Sequence, residues 1–243
     1  MEFNKLNHFY NSKIGKRALH FLCEKIDELA RIKNDSVVVG FGYTDPYLEK
    51  IDGLKNYTVS LIPNFIEGFN INNNNINVVC DEERLPLSEN SVGLFVLTHA
   101  LENAQNPLAL MLEINQVVNA GGKVIVVVPN RVGIWARQTK NPFGFGRPYT
   151  EGQLRRLMAQ AGFVEIENNY SLYFPPVDYF CNEKVSNFFE DWIGYFMREN
   201  SGVIVGVYEK RVHKPVGLTE RKKLFELSFG RRPKVALNKD CKS

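Results

Sequence analysis

His99 and Glu102 stand about one helical turn apart, directly after an apolar run that ends at Thr98. An imidazole there can orient or deprotonate an acceptor hydroxyl or amine, and the carboxylate can orient the imidazole. The same residues also suit a structural role, with His99 capping a helix or closing a pocket and Glu102 on the surface. Upstream, Gly40 and Gly42 flank Phe41 and precede Tyr43. Glycines so spaced let the backbone turn sharply and approach a ligand closely; a plain tight turn needs them equally. Asp81 and Glu82 follow another apolar run. A carboxylate accepting from an exocyclic amine makes a strong, directional contact, while a strand-end turn is the simpler use of Asp81. Farther on, Arg131, Arg137 and Arg147 alternate with Trp135 and Tyr149. Guanidinium groups suit carboxylate and phosphate, so this stretch can hold an anion, or its arginines can pair within a glycine-rich loop.

Missing chemistry narrows the field. The four cysteines are widely scattered, with no CxxC or Cys/His cluster. Neither a metal site nor a disulfide framework is expected, and a reduced intracellular compartment fits. The first residues lack the apolar core of a secretory signal, and the longest apolar runs are strand-sized. The expectation is a soluble cytoplasmic protein. Net charge is +3, but from Glu209 onward eleven Lys/Arg face four Asp/Glu, a local charge of +7. Such a tail is either a solvated segment or a contact for an anionic partner, RNA or a membrane surface.

The elements that must position these residues alternate between strand and helix. Ile14, Ala18, Leu19, Leu22, Ile26, Leu29 and Ile32 recur at helical spacing and predict a helix over 13–33. Short apolar runs predict strands at 36–40, 57–62, 76–80, 92–98, 123–128, 163–167 and 203–208. Asp45 and Pro46 suit a helix start, Asn106-Pro107 opens a longer helix that Ala120-Gly121-Gly122 would stop, and Thr150 caps another ended by Gly162. The result is an α/β fold, a Rossmann-like seven-stranded, mostly parallel sheet with helices on both faces. The domain spans 1–208, with a core of 36–208 and a basic tail of 209–243. In such sheets ligands bind beyond the carboxyl ends of the strands. That singles out the loops 40–46, 80–84, 98–103 and the long connection 129–149, read as an ordered lid. The aromatic segment 171–200 can shape an acceptor pocket or a dimer face.

Gly40-Phe41-Gly42-Tyr43, Asp81 through Pro86, Thr98 through Glu102 and Ala120 through Val124 come in an order that resembles the class I, type 11 methyltransferases, over roughly 36–168. More narrowly, Gly40–Tyr43 with Pro46-Tyr47-Leu48, and Val128 through Tyr149, resemble a bacterial methyltransferase family of unassigned substrate. Phe9-Tyr10 and Gly15 fit it too. The resemblance implies S-adenosylmethionine as cofactor, with its amino-acid end at Gly40, Phe41, Gly42 and Tyr43. It implies adenine at Asp81 and Glu82, ribose beside Ser60, and the methyl group facing Thr98 and His99. Arg131, Trp135, Arg137, Arg147 and Tyr149 would then cover a small acidic acceptor. The sequence departs from the superfamily pattern in three places: an acid is usual near Val38 and another near Ser60 or Leu61, and a third glycine near Thr44. A lost charged hydrogen bond is worth about 1.5–3 kcal/mol, or roughly tenfold to a hundredfold in affinity. Two alternatives follow, a non-catalytic module that binds the cofactor and acts through partners, and an RNA methyltransferase using the tail. There is no Asn/Asp-Pro-Pro-aromatic motif and no cysteine after the fourth strand, which disfavours nucleobase amines and covalent attack on pyrimidines. A nicotinamide dehydrogenase would need a Gly-x-Gly-x-x-Gly turn and a later acid, and both are missing.

Overall fold

The apolar strand runs pleat, so neighbouring residues go to opposite faces. Val38, Leu94, Val96, Ile125 and Val127 join one core cluster with the N-terminal helices. Val39, Phe41, Phe95, Leu97, Val124, Val126 and Val128 join the other, against two later helices. Continuous apolar runs are what a sheet covered on both faces requires. The computed structural model describes residues 2–30, 36–50, 58–68, 76–194 and 198–211. The chain divides into units Met1–Arg211 and Val212–Ser243, and all described residues belong to the first. The expected basic tail falls outside them from residue 212 onward.

The strands are β1 (Val38–Gly42), β2 (Thr58–Pro63), β3 (Ile76–Cys80), β4 (Val92–Thr98), β5 (Val118–Pro129), β6 (Phe163–Ser171) and β7 (Val203–Lys210). Their order in the sheet is β3-β2-β1-β4-β5-β7-β6. The first five are parallel, and β7 runs antiparallel to both β5 and β6. The helices are α1 (Phe3–Asn11), α2 (Lys13–Ala30), α3 (Asp45–Leu48), α4 (Pro107–Val117), α5 (Glu151–Gln160) and α6 (Glu183–Phe188).

The boundaries differ from expectation in three informative places. The expected helix over 13–33 is α2, which ends its described length at Ala30 and follows a separate helix, α1. Ser12 makes the joint: its N–H and hydroxyl both donate to Phe9 O, and its Oγ accepts Gly15 N–H at 3.1 Å. A Cβ on Gly15 would lie 1.9 Å from Phe9 O, so only glycine lets the two helices meet this closely. Second, β1 continues through Gly42, because Gly40, Phe41 and Gly42 stay paired with Val96, Leu97 and Thr98 of β4. The glycine turn therefore starts at its last glycine. Third, Ala120-Gly121-Gly122 does not stop α4. The helix ends at Val117, and these residues already belong to β5, which meets β4 across a bulge. The Thr150 cap is as expected, closed into a capping box by Gln153.

The segment between β6 and β7 folds into short helical turns. Arg17 of α2 reaches across to it, donating to Ser186 Oγ at 2.6 Å and to Asn187, with its guanidinium over the Phe21 ring. Glu190 lies in a π-helical turn, Phe189–Ile193, and its Oε1 accepts Tyr173 N–H at 2.9 Å. Burial pushes this carboxyl up from its ordinary 4.5 to about 7. The fold holds its proton where the unfolded chain has already lost it. Stability is thus full below about pH 4.5 and falls as pH rises toward 7. Denaturant unfolding across this window should show the decline, and Glu190→Gln should flatten it; an unchanged slope in the variant would place the titration elsewhere.

Candidate functional site

The carboxyl ends of β1, β2, β3 and β4 lie side by side, so Tyr43, Asn64, Asp81 and His99 begin four neighbouring loops. Gly42 pairs with Thr98 across β1 and β4. Beyond it, Tyr43 N–H donates to Thr98 O at 3.0 Å, and Thr98 Oγ donates back to Tyr43 O. Gly42 has φ +103°, and a Cβ there would lie 2.1 Å from Thr98 O. Gly40 has a different reason to be glycine. Its missing Cβ makes room for the Thr44 side chain, whose Oγ1 lies 2.1 Å from that position.

His99 leaves β4 in the left-handed region, at φ 53°. This is uncommon for a residue with a side chain and persists where surroundings hold it. The ring is 2% exposed. Its Nε2 lies 2.6 Å from Tyr10 Oη of α1, and Tyr10 Oη accepts from Tyr47 Oη at 2.6 Å. With Tyr47 donating, Tyr10 donates onward to Nε2, which leaves the ring hydrogen on Nδ1. That atom is 3.3 Å from Glu102 Oε1, in electrostatic contact but without hydrogen-bond geometry. Both Glu102 oxygens are buried without a hydrogen bond. Burial raises the Tyr10 and Tyr47 hydroxyls well above their ordinary range, so both remain donors at neutral pH. Four side chains from α1, α3 and the loop after β4 thus form one buried line. Tyr10 also stacks on Tyr43, with ring centres 5.1 Å apart and planes 9° apart, and Phe143 closes over His99 at 4.8 Å.

The remaining residues of the expected site divide into those at this edge and those elsewhere. Asp81 is exposed, and its Oδ1 accepts Glu83 N–H at 2.9 Å, which orients the carboxylate. Glu82 turns inward, and its Oε1 accepts Gln105 N–H at 2.8 Å and Asn106 N–H at 3.2 Å. Ser60 lies within β2, opposite Gly40, and donates to Asp45. That carboxylate accepts a hydroxyl here, and no side-chain cap forms on α3. The edge residue of β2 is Pro63, followed by exposed Asn64. Phe41 points into the opposite core, packed against Phe95.

The lid is ordered by backbone contacts. Arg147 N–H donates to Glu102 O at 2.7 Å, and Tyr149 Oη donates to Leu101 O at 3.3 Å. Gly146 has φ +78°, and a Cβ on it would lie 2.5 Å from Glu102 O. Arg131 spends its guanidinium on Pro148 O, and Trp135 is fully buried, donating to Phe174 O at 2.8 Å. Of the three arginines, Arg137 alone lines the cleft of about 1290 Å³ between α1 and residues 137–146. Burial lifts the Tyr149 hydroxyl to about 12, with Glu102 adding to it.

Tyr10 and Tyr47 belong to the site; both stand in stretches that carry the family resemblance, but nothing in the sequence gives them a place beside His99. Leu6, Phe9 and Tyr10 show the i, i+3, i+4 spacing of one helix face, the signal that could have placed α1. A polar ligand suits this edge: Thr44 Oγ1 and Glu82 Oε2 are buried there without a hydrogen-bond partner, and Asp81 offers an outward carboxylate. Among the described residues no group of three or more His, Cys, Asp or Glu could hold a metal ion. No helix among them is long and apolar enough to cross a membrane.

Residues 36–126 match the family model described as a methyltransferase domain. No curated protein matches the chain. Among solved structures, a SAM-dependent methyltransferase from Thermotoga maritima superposes with a TM-score of 0.63 at 14% identity, over 86% of this chain and 96% of that one. A methyltransferase of Haloferax volcanii in complex with the Trm112 activator gives 0.59 at 16% identity, over 87% and 98%. A geranyl diphosphate C-methyltransferase from Streptomyces coelicolor A3(2) gives 0.55 at 13%, over 78% of each chain. At these identities the likeness is one of fold, and the sheet order above is that shared fold.

Proposed function

We propose that this chain, whose residues 36–126 match a methyltransferase domain, is a class I, S-adenosylmethionine-dependent enzyme that transfers a methyl group to a small acceptor entering between α1 and the lid. The observation that carries the reading is the convergence of Gly42-Tyr43, Asp81-Glu82 and Thr98-His99 on one sheet edge beneath α1. S-adenosylmethionine supplies a methyl group on a positively charged sulfur, open to in-line attack by a lone pair. For such a displacement the protein needs chiefly to align the partners and exclude water. The turn from Gly42 to Tyr43 would hold the amino-acid end, with the second lone pair of the Tyr43 carbonyl open to an ammonium group, and Asp81 the adenine amine. The ribose has no acid among its expected contacts; exposed Asn64, just beyond β2, would take that role.

His99 is a positioning residue in this account. Its Nε2 is taken by Tyr10 and its ring is covered by Phe143, so it holds α1 down over the cofactor edge. Glu102 lies behind the ring, 3.3 Å from Nδ1, in electrostatic contact alone. Tyr10 and Tyr43, stacked together, form the apolar wall that keeps water from the methyl group. Arg131 and Arg147 order the lid, through the Pro148 carbonyl and the Glu102 carbonyl respectively.

Asp81→Ala tests the adenine contact. The side chain is exposed, so the fold should survive. Affinity for S-adenosylmethionine should drop by about tenfold or more, the worth of a hydrogen bond to a charged group. Equal affinity would move the adenine elsewhere.

A further inference from the structure

The cleft between α1 and residues 137–146 holds about 1290 Å³, room for more than a methyl group's immediate neighbourhood. Two of its sides are apolar. Phe9 comes from α1 and Pro142 and Phe145 from the lid, with Val177 at the mouth. Phe145 and Val177 remain 45% and 43% exposed, an apolar surface with no covering element in the described fold. One wall residue is polar and strained for partners. Asn141 is 4% exposed, and its Nδ2 donates to Trp135 O at 3.2 Å. Its Oδ1 is buried and accepts nothing. A buried acceptor without a donor costs about 1–3 kcal/mol, a local weak point in the wall of the cleft.

Charge completes the pattern. Arg137 and Lys140 precede Asn141 by four residues and by one, line the same cleft and are exposed. Arg137 uses Nη2 on Val132 O at 3.1 Å, which leaves its other donors for a ligand. The acids of the cleft are Glu2 and Glu67, which meet each other at a short β-bridge on the α1 side. Lys5 pairs with Glu2 at 2.9 Å. The lid side is thus the cationic one. The cleft adjoins the loop after β4: Asn103 lines it and donates Nδ2 to His99 O at 3.2 Å.

We propose that this cleft binds the methyl acceptor, and that the acceptor is an amphipathic anion. Its apolar body lies against Phe9 and Phe145. Its acidic group meets Arg137 and Lys140. The proposal rests on the methyltransferase reading and assigns recognition to Arg137 and Lys140, where sequence alone drew equally on Arg131 and Arg147.

Two fluorescent probes test it. 8-Anilinonaphthalene-1-sulfonate carries an apolar body, one N–H and an anion; N-phenyl-1-naphthylamine is the same body without the anion. The sulfonate should bind one to one, and more tightly than the neutral amine. Arg137→Ala/Lys140→Ala should weaken the sulfonate about tenfold or more and leave the neutral probe within about twofold, as loss of charged contacts requires. Phe145→Ala should weaken both probes. If the double variant loses stability, Lys140→Ala alone, on an exposed side chain, carries the same comparison. Equal affinity of the two probes, or sulfonate binding indifferent to both variants, overturns the proposal. S-Adenosylmethionine binding is measured in parallel on the same variants. Its absence from the unaltered protein would sink the methyltransferase reading, whereas its persistence beside indifferent probe binding would sink the cleft assignment alone.

Discussion

Gly42→Ala should lower the unfolding free energy by about 3 kcal/mol or more, summing backbone strain and overpacking. Two independent costs meet at this position. The backbone at φ +103° lies in a region that residues with a side chain rarely adopt. The added Cβ would also fall 2.1 Å from Thr98 O, a backbone atom that cannot swing aside. Relief requires β1 and β4 to separate at their carboxyl ends, where Tyr43 N–H and Thr98 Oγ bind across. The variant should therefore lose S-adenosylmethionine binding even where it still folds. Denaturant unfolding with and without the cofactor measures both effects. A loss below about 1 kcal/mol, the ordinary size of a point-mutant effect, would mean the turn tolerates a side chain.

Tyr10→Phe should cost about 2–4 kcal/mol, large for the loss of one oxygen, because it leaves two buried polar atoms unpartnered. Tyr47 Oη loses its acceptor and His99 Nε2 loses its donor. The phenyl ring keeps its stacking on Tyr43, so apolar packing is preserved and the effect isolates the hydroxyl. The double variant Tyr10→Phe/Tyr47→Phe removes one of the stranded groups and should cost less than the two single variants added together. Thermal or denaturant unfolding of the three variants gives the coupling directly. Strict additivity would show that the line from Tyr47 to His99 is not cooperative, and α1 would then be held by packing alone.

Much of the framework can be read from residue types because its signals are local. Five valines and isoleucines from Val124 to Val128 can only be a strand buried on both faces, and Thr150 with Gln153 marks a helix start within four residues. The stripe Ala18, Leu22, Ile26, Leu29 marks α2 in the same way, and each of the four is buried. The site is less legible because its contacts are not local. Glu82 reaches backbone N–H groups of Gln105 and Asn106, and His99 meets a tyrosine of α1. A helix as short as α1 carries only three buried positions, Leu6, Phe9 and Tyr10, too few for periodicity to stand out. The cleft depends on α1 for one wall, so residue types alone do not mark it. Aromatic residues in a long connection do not declare their role either. Trp135 and Phe143 of the lid pack in the core beside Phe174, while Phe145 two residues on faces water. The three arginines look alike in sequence; in the fold the Arg131 guanidinium is taken by Pro148 O, Arg147 bonds through its backbone N–H, and Arg137 lines the cleft.

The central claim is that the edge beneath α1 binds S-adenosylmethionine although acids are missing at Val38 and Ser60. Calorimetric titration of the full chain with S-adenosylmethionine and with its demethylated product tests it most directly. The account predicts one-to-one binding of both in the micromolar range, weakened by Asp81→Ala. No heat from either compound at millimolar concentration would contradict it.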